Sequence, residues 1–192
     1  FRRTYKLQKG QTILFHAAAG GVGLIAMQWA KALGVKVIGT VGSKDKAELA
    51  RSFGCDHTIL YREENIVERV REITKGAMVP VVYDSVGKDT FQASIDCLQP
   101  FGLMVCFGNA SGPVPPLALT ALKGSLYITR PSLNAHMVSR SNIEEISADL
   151  IKMVSSGKVR IPIDQRYKLA DAVQAHKDLE ARRTTGCTIL VH

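Results

Sequence analysis

Ala17-Ala18-Ala19-Gly20-Gly21-Val22-Gly23 is the stretch from which the fold is read. Ahead of it, Gln11-Thr12-Ile13-Leu14-Phe15-His16 is a short apolar run behind the Lys9-Gly10 turn, the pattern of a buried strand. Behind it, Val22, Ile25, Ala26, Trp29 and Leu33 recur at helical spacing, which predicts a helix over 20–33 that Gly34 ends. On the dinucleotide-binding template G-x-G-x-x-G, Ala18, Gly20 and Gly23 take the three small positions. Gly20 lets the backbone approach a pyrophosphate, and Gly23 lets the helix lie close on the sheet. The helix N-terminus, with Gly21 and Val22, turns unpaired N–H groups and the positive end of its dipole to the phosphates. A turn needed only for packing would look similar in isolation. The strand before it and the amphipathic helix after it favour the phosphate reading.

The alternation continues downstream. Residues 35–41 form a second strand, apolar on both faces as expected when helices cover both. A helix over 43–53, a strand at 58–61, a helix over 63–74, a strand at 79–83 and a helix over 89–98 follow. Leu103-Met104-Val105-Cys106-Phe107 and Ser125-Leu126-Tyr127-Ile128 bring the strands to six. This rhythm implies parallel pairing with right-handed crossovers, an α/β fold with a doubly wound six-stranded parallel sheet, Rossmann-like. After Pro131 the pattern changes. Ser141-Asn142-Ile143-Glu144 matches a capping box opening a helix to about 156. A short segment at Arg166-Tyr167, a helix over 170–181 and a strand over 187–191 close the chain. The expected division is a dinucleotide-binding domain at 1–131 and a tail at 132–192 that returns towards another structural unit. Phe1-Arg2-Arg3-Thr4-Tyr5 reads as the end of a helix already in progress, so residues are expected upstream.

The end of the second strand identifies the nucleotide. An NAD site places Asp or Glu there to hold the ribose 2′-hydroxyl. Here the run is Gly39-Thr40-Val41-Gly42-Ser43-Lys44-Asp45-Lys46, with no acid at the strand end. If Ser43 caps the next helix, Lys44 and Lys46 fall in its first turn, where each cation opposes the dipole by roughly 0.3–1 kcal/mol. A 2′-phosphate would reverse that sign, so NADP(H) is the expected cofactor; two merely solvated lysines are the alternative. Tyr61 closes the third strand, where it could cover the adenine, touch the 2′-phosphate or do neither. Tyr83-Asp84-Ser85-Val86-Gly87 and Phe107-Gly108-Asn109 close the fourth and fifth strands, where ligands of open parallel sheets sit. Asp84 and Ser85 could equally cap the following helix, and Gly108-Asn109 could be only a turn.

The remaining features exclude more than they assign. The net charge of +8 comes from Lys and Arg spread through 192 residues without an aromatic stacking motif, a solvated basic surface rather than a nucleic-acid face. Cys55, Cys97, Cys106 and Cys187 lack ligand spacing, which suits reduced thiols in the cytoplasm and no metal site. No apolar run approaches the roughly 20 residues of a membrane span. His16 ends the first strand, but no Ser or Asp stands in triad relation to it along the sequence, and a hydrogen-bonded core histidine is the favoured reading. No catalytic residue is assigned, as suits chemistry carried by a cofactor.

Four motifs then carry a family resemblance. Phe15-His16-Ala17-Ala18-Ala19-Gly20-Gly21-Val22-Gly23, Val82-Tyr83-Asp84-Ser85-Val86-Gly87, Cys106-Phe107-Gly108-Asn109-Ala110-Ser111-Gly112 and Thr129-Arg130-Pro131-Ser132 resemble the zinc-free quinone oxidoreductases. These are the ζ-crystallin-like branch of the medium-chain dehydrogenase/reductases. The resemblance implies a two-domain enzyme passing reducing equivalents from NADPH to a quinone, with the catalytic domain mostly outside this chain. It implies cofactor contacts at Gly21 and Val22, at Gly42, Ser43, Lys46 and Tyr61, and at Val86, Phe107, Gly108 and Asn109. Arg182 would reach the adenosine side, and a homodimer would form through the edge at Ser125-Ile128. An enone or enoyl reductase, and an RNA-binding relative of ζ-crystallin, remain as alternatives.

Overall fold

The structure, a computed structural model, describes residues 1–192. Its sheet is assembled from β1 (Thr12–Phe15), β2 (Lys36–Val41), β3 (His57–Leu60), β4 (Val79–Asp84), β5 (Leu98–Cys106) and β6 (Tyr127–Thr129). The order is β3-β2-β1-β4-β5-β6 and every pairing is parallel. The crossovers are α1 (Gly21–Ala32), α2 (Lys44–Ser52), α3 (Ile66–Ile73) and α4 (Phe91–Asp96), while a long loop joins β5 to β6. Strand order reverses between β1 and β4, and at such a switch point the loops part to leave a crevice at the carboxyl ends of the strands.

Period-two alternation sorts the strand residues between two apolar layers. Ile13, Phe15, Val37, Val81, Tyr83 and Val105 pack with Ala26, Met27, Ala30, Ala47 and Ala50 of α1 and α2. Leu14, Ile38, Val82, Met104 and Cys106 pack with Val70, Phe91 and Ile95 of α3 and α4. The small alanines on α1 and α2 let those helices approach the sheet closely.

The chain after the sheet forms α5 (Leu133–His136), α6 (Arg140–Ser155), β7 (Ile163–Lys168), α7 (Ala172–Glu180) and β8 (Cys187–Val191). β7 and β8 make a separate parallel pair. This tail is clasped to the first unit at several points. Gln28 of α1 exchanges two 2.8 Å hydrogen bonds with the backbone of Arg160, and Gly20 bridges to Gly186. Arg2 and Arg3 form ion pairs with Asp149 and Glu145. No helix is long and apolar enough to cross a membrane.

Several boundaries depart from the sequence reading. α6 is capped by Ser139, whose hydroxyl accepts from Asn142 N at 3.2 Å, rather than by Ser141. Starting two residues earlier adds part of a turn and pairs Arg140 with Glu144 at i,i+4. α4 is shorter than expected because Leu98 already pairs with Val79 in the sheet, across an irregularity at Val79/Val81. β6 begins at Tyr127 because Ser125 lies in the left-handed region at φ 57°, which no strand residue adopts. Around Arg166-Tyr167 the structure has a full six-residue strand. Its charged exposed positions conceal it from a hydropathy reading.

Candidate functional site

The glycine turn begins at Ala17, a non-glycine residue at φ 55°, and Gly20 N–H closes it onto Ala17 O at 3.0 Å. Ala18 N–H ties the turn to Thr40 O of β2, and His16 N–H ties the strand end to Tyr83 O of β4. Gly23 is forced: a Cβ there would lie 2.5 Å from both Ala17 O and Ala18 O. Gly20 stands at the N-cap without a side chain, so the Val22 and Gly23 N–H groups find no acceptor within the chain. The Val22 side chain is exposed. Uncapped donors at the positive end of a helix are what an anion needs.

A second group of expected site residues converges at the end of β2. Ser43 caps α2, its hydroxyl accepting from Lys46 N at 3.4 Å, which sets Lys44 and Lys46 in the first turn. Tyr61 follows β3, and its hydroxyl lies so near Gly42 that a Cβ there would sit 2.9 Å away. Arg182 arrives from the far end of the chain, left-handed at φ 58°, and its guanidinium donates to Tyr61 Oη at 3.4 Å. Lys46 Nζ donates to the Arg182 carbonyl at 2.8 Å. Neither Lys46 nor Arg182 has a carboxylate partner among the ion pairs. The neighbouring Arg183, by contrast, is held by Asp178. Gly42, Ser43, Lys46, Tyr61 and Arg182 therefore form one cluster carrying two cations uncommitted to any acid.

The loops after β4 and β5 meet backbone to backbone. Ala110 N–H donates to Ser85 O at 3.2 Å and Ser111 N–H to Val86 O at 2.8 Å. A Cβ on Gly108 would lie 2.6 Å from Ser85 O, and one on Gly87 2.7 Å from Gly112 O. Val86, Gly108 and Asn109 thus lie on one joined wall. The Phe107 ring turns the other way and packs on Phe15, 5.8 Å between centroids, so only its backbone belongs to that wall.

Two readings from the sequence resolve here. Asp84 is wholly buried, and its carboxylate accepts from Val86 N, Gly87 N and the Thr90 hydroxyl, fixing the loop before α4 rather than facing the crevice. His16 does have a Ser partner that in turn holds an Asp, both too far along the sequence to see. His16 Nε2 lies 3.0 Å from Ser94 Oγ, Ser94 Oγ donates to Asp84 Oδ2 at 2.6 Å, and His16 Nδ1 lies 2.9 Å from Thr40 Oγ1. The serine stands between histidine and aspartate and all of them are buried, so this is no nucleophilic triad. Burial holds the His16 imidazole below its ordinary pKa, with Asp84 pulling the other way.

No three His, Cys, Asp or Glu side chains come together as a metal site. Burial pushes the Cys55 and Cys97 thiols up to about 12, which keeps them protonated.

Comparison with known proteins agrees with this geometry. The quinone oxidoreductase of Pseudomonas aeruginosa is 55% identical over 192 residues, a match spanning 99% of this chain and 59% of that protein. The 2-haloacrylate reductase of a Burkholderia species is 45% identical over 98% of this chain and 58% of its own length. The crystal structure of Escherichia coli quinone oxidoreductase complexed with NADPH superposes with a TM-score of 0.97 at 52% identity, over all of this chain and 60% of that one. The chain thus spans about three-fifths of the relatives it matches. Residues 21–156, from the first helix of the glycine turn to the end of α6, match the family described as zinc-binding dehydrogenase, and the chain belongs to that family.

Proposed function

We propose that this chain is the cofactor-holding part of an oxidoreductase that passes reducing equivalents from NADPH to a quinone. The observation that carries the reading is the cluster of Lys46, Tyr61 and Arg182 beside Gly42 and Ser43, with no carboxylate at the end of β2. A ribose 2′-phosphate fits two uncommitted cations, whereas a free 2′-hydroxyl asks for an acid that is lacking. The Val22 and Gly23 N–H groups, reached over Gly20, suit the pyrophosphate, while Gly21 lies against the tail, where a Cβ would sit 2.9 Å from Gly186 O. Val86, Gly108, Asn109 and the Phe107 backbone form the wall for the nicotinamide. The cofactor, when bound, supplies the hydride; the chain's own residues position it and exclude water on one side. Lys46 must release the Arg182 carbonyl to meet a phosphate, exchanging a neutral acceptor for a charged one.

Residues 1–131 act in this reading as the dinucleotide-binding domain, and 132–192 lead back towards a catalytic unit that supplies the opposite wall. The E. coli relative's NADPH complex and the quinone oxidoreductase names of the relatives support it. Reduction of an activated carbon–carbon double bond with the same cofactor is the second reading, favoured by the 2-haloacrylate reductase relative. A homodimer through β6 is part of the proposal. Calorimetric titration tests the cofactor: NADPH should bind at least about tenfold tighter than NADH, about 1.4 kcal/mol. Equal affinities, or an unchanged preference in Lys46→Ala, would overturn it. NADPH oxidation by the full-length enzyme, with a quinone against a 2-haloacrylate, separates the two substrates.

A further inference from the structure

His16, Thr40, Asp84 and Ser94 are the polar side chains that the fold buries, none more than 2% exposed. They form a single file. Ala17 N–H reaches Thr40 Oγ1 at 3.4 Å, and the file runs on through both His16 ring nitrogens and Ser94 Oγ to Asp84 Oδ2. The protons in it have one consistent arrangement. All the partners of Asp84 are donors, so the Ser94 hydroxyl proton points at the carboxylate and Ser94 Oγ must accept from His16 Nε2–H. The neutral ring then presents Nδ1 as an acceptor to the Thr40 hydroxyl, whose oxygen is left to accept Ala17 N–H. Each donor is used once, and no buried polar atom of the file is stranded.

The ends of the file matter as much as its members. Ala17 opens the glycine turn after β1, and Asp84 anchors the loop that carries Val86 and Gly87 after β4. Those two loops flank the crevice where strand order reverses. We infer that His16, as a neutral imidazole protonated on Nε2, is a positioning residue that locks the glycine turn to the loop after β4, so that the pyrophosphate and nicotinamide sides of the groove keep one spacing. A histidine serving only to fill the core would have no required tautomer and no tie to cofactor affinity. The inference rests on the dinucleotide reading above for its functional consequence, and on hydrogen-bond logic alone for the tautomer.

The test has two arms. In the 192-residue chain labelled with ¹⁵N-histidine, the ring of the one fully buried histidine should show an exchange-protected Nε2–H and an unprotonated Nδ1. In the second arm, Thr40→Val removes the hydroxyl and Thr40→Ser keeps it. NADPH affinity should fall about tenfold in Thr40→Val and stay within about twofold of the parent in Thr40→Ser, with circular dichroism unchanged in both. An Nδ1–H tautomer in the parent, a Thr40→Val chain that binds as tightly as the parent, or a Thr40→Ser chain that loses affinity as Thr40→Val does, would each overturn the inference. If Thr40→Val does not fold, the parent tautomer and Thr40→Ser decide it. A parent chain with the Nε2–H proton that binds neither NADPH nor NADH overturns the proposed cofactor instead, and supports the tautomer.

Discussion

Gly23 shows how one hydrogen atom can decide a site. In a helix interior, alanine is favoured over glycine by about 1 kcal/mol. At this position the added carbon would lie 2.5 Å from two backbone carbonyl oxygens, which cannot rotate away as a side chain can. Overpacking typically costs about 1–3 kcal/mol, occasionally more, and contact with two fixed backbone oxygens puts this position at the upper end, where it outweighs the propensity gain. Gly23→Ala should therefore lower the unfolding free energy by at least about 2 kcal/mol, read from a urea transition, and abolish dinucleotide binding by moving α1 off the turn. His16 adds a pH dependence. Its folded pKa is lowered by burial, against a smaller opposing pull from Asp84, while the unfolded chain titrates near 6.5. The unfolded state thus binds more protons as the pH drops through that value, and the His16 contribution, complete above it, is lost towards the lowered folded pKa. Thermal midpoints should fall below about pH 6.5, and the fall should be weaker in His16→Gln. Equal slopes in the two chains would show that other groups govern acid unfolding.

Among elements, α1 does two jobs. Its first turn offers N–H groups to the crevice, and one turn further on Gln28 clasps the tail. Gln28 Nε2 donates to Arg160 O and Gln28 Oε1 accepts from Arg160 N, a reciprocal pair on the partly exposed flank of the helix. Two such bonds contribute about 1–2 kcal/mol where water competes. Gln28→Ala should raise amide exchange and proteolysis around 157–163 while leaving the exchange of β1 and β2 unchanged, since the tail can open without the sheet. α2 is an opposite case. It tolerates Lys44 and Lys46 in its first turn, against the helix dipole, with Asp45 as the single acid there.

At the scale of the whole molecule, the sheet ends in β6, whose outer backbone groups have no partner strand. Tyr127 and Ile128 are 58% and 38% exposed on it. The loop before it does not hide them: Val114, Leu117 and Leu122 pack down into the α3 and α4 layer, with Leu126. An exposed apolar edge of this kind pairs readily with its own copy about a two-fold axis. Light scattering at micromolar concentration should give a dimer mass, and replacing Tyr127 and Ile128 together by lysine should give a monomer with an unchanged circular dichroism spectrum. A dimer that persists in the double variant would exclude this edge as the interface.

The strand, glycine turn and helix at 12–32 were legible in the residues themselves, because each is a local pattern: an apolar run, small residues in a fixed frame, and a 3.6-residue stripe. From their repetition the parallel sheet followed, since connection handedness leaves few alternatives. The lack of an acid after β2 was legible too, and so was the Ser43 cap. Tertiary structure alone decided the rest. Arg182, put on the adenosine side by the family resemblance and not by any local pattern, joins Tyr61 across 121 positions, and Ser94 meets His16 across 78, separations at which sequence spacing says nothing about contact. Boundaries shifted where a backbone turned left-handed, as at Ser125, or where a strand claimed residues that a helix could have used, as at Leu98. Local propensity sets which elements form. Which side chains meet across the crevice is set by how the layers pack, and that is a property of the whole chain.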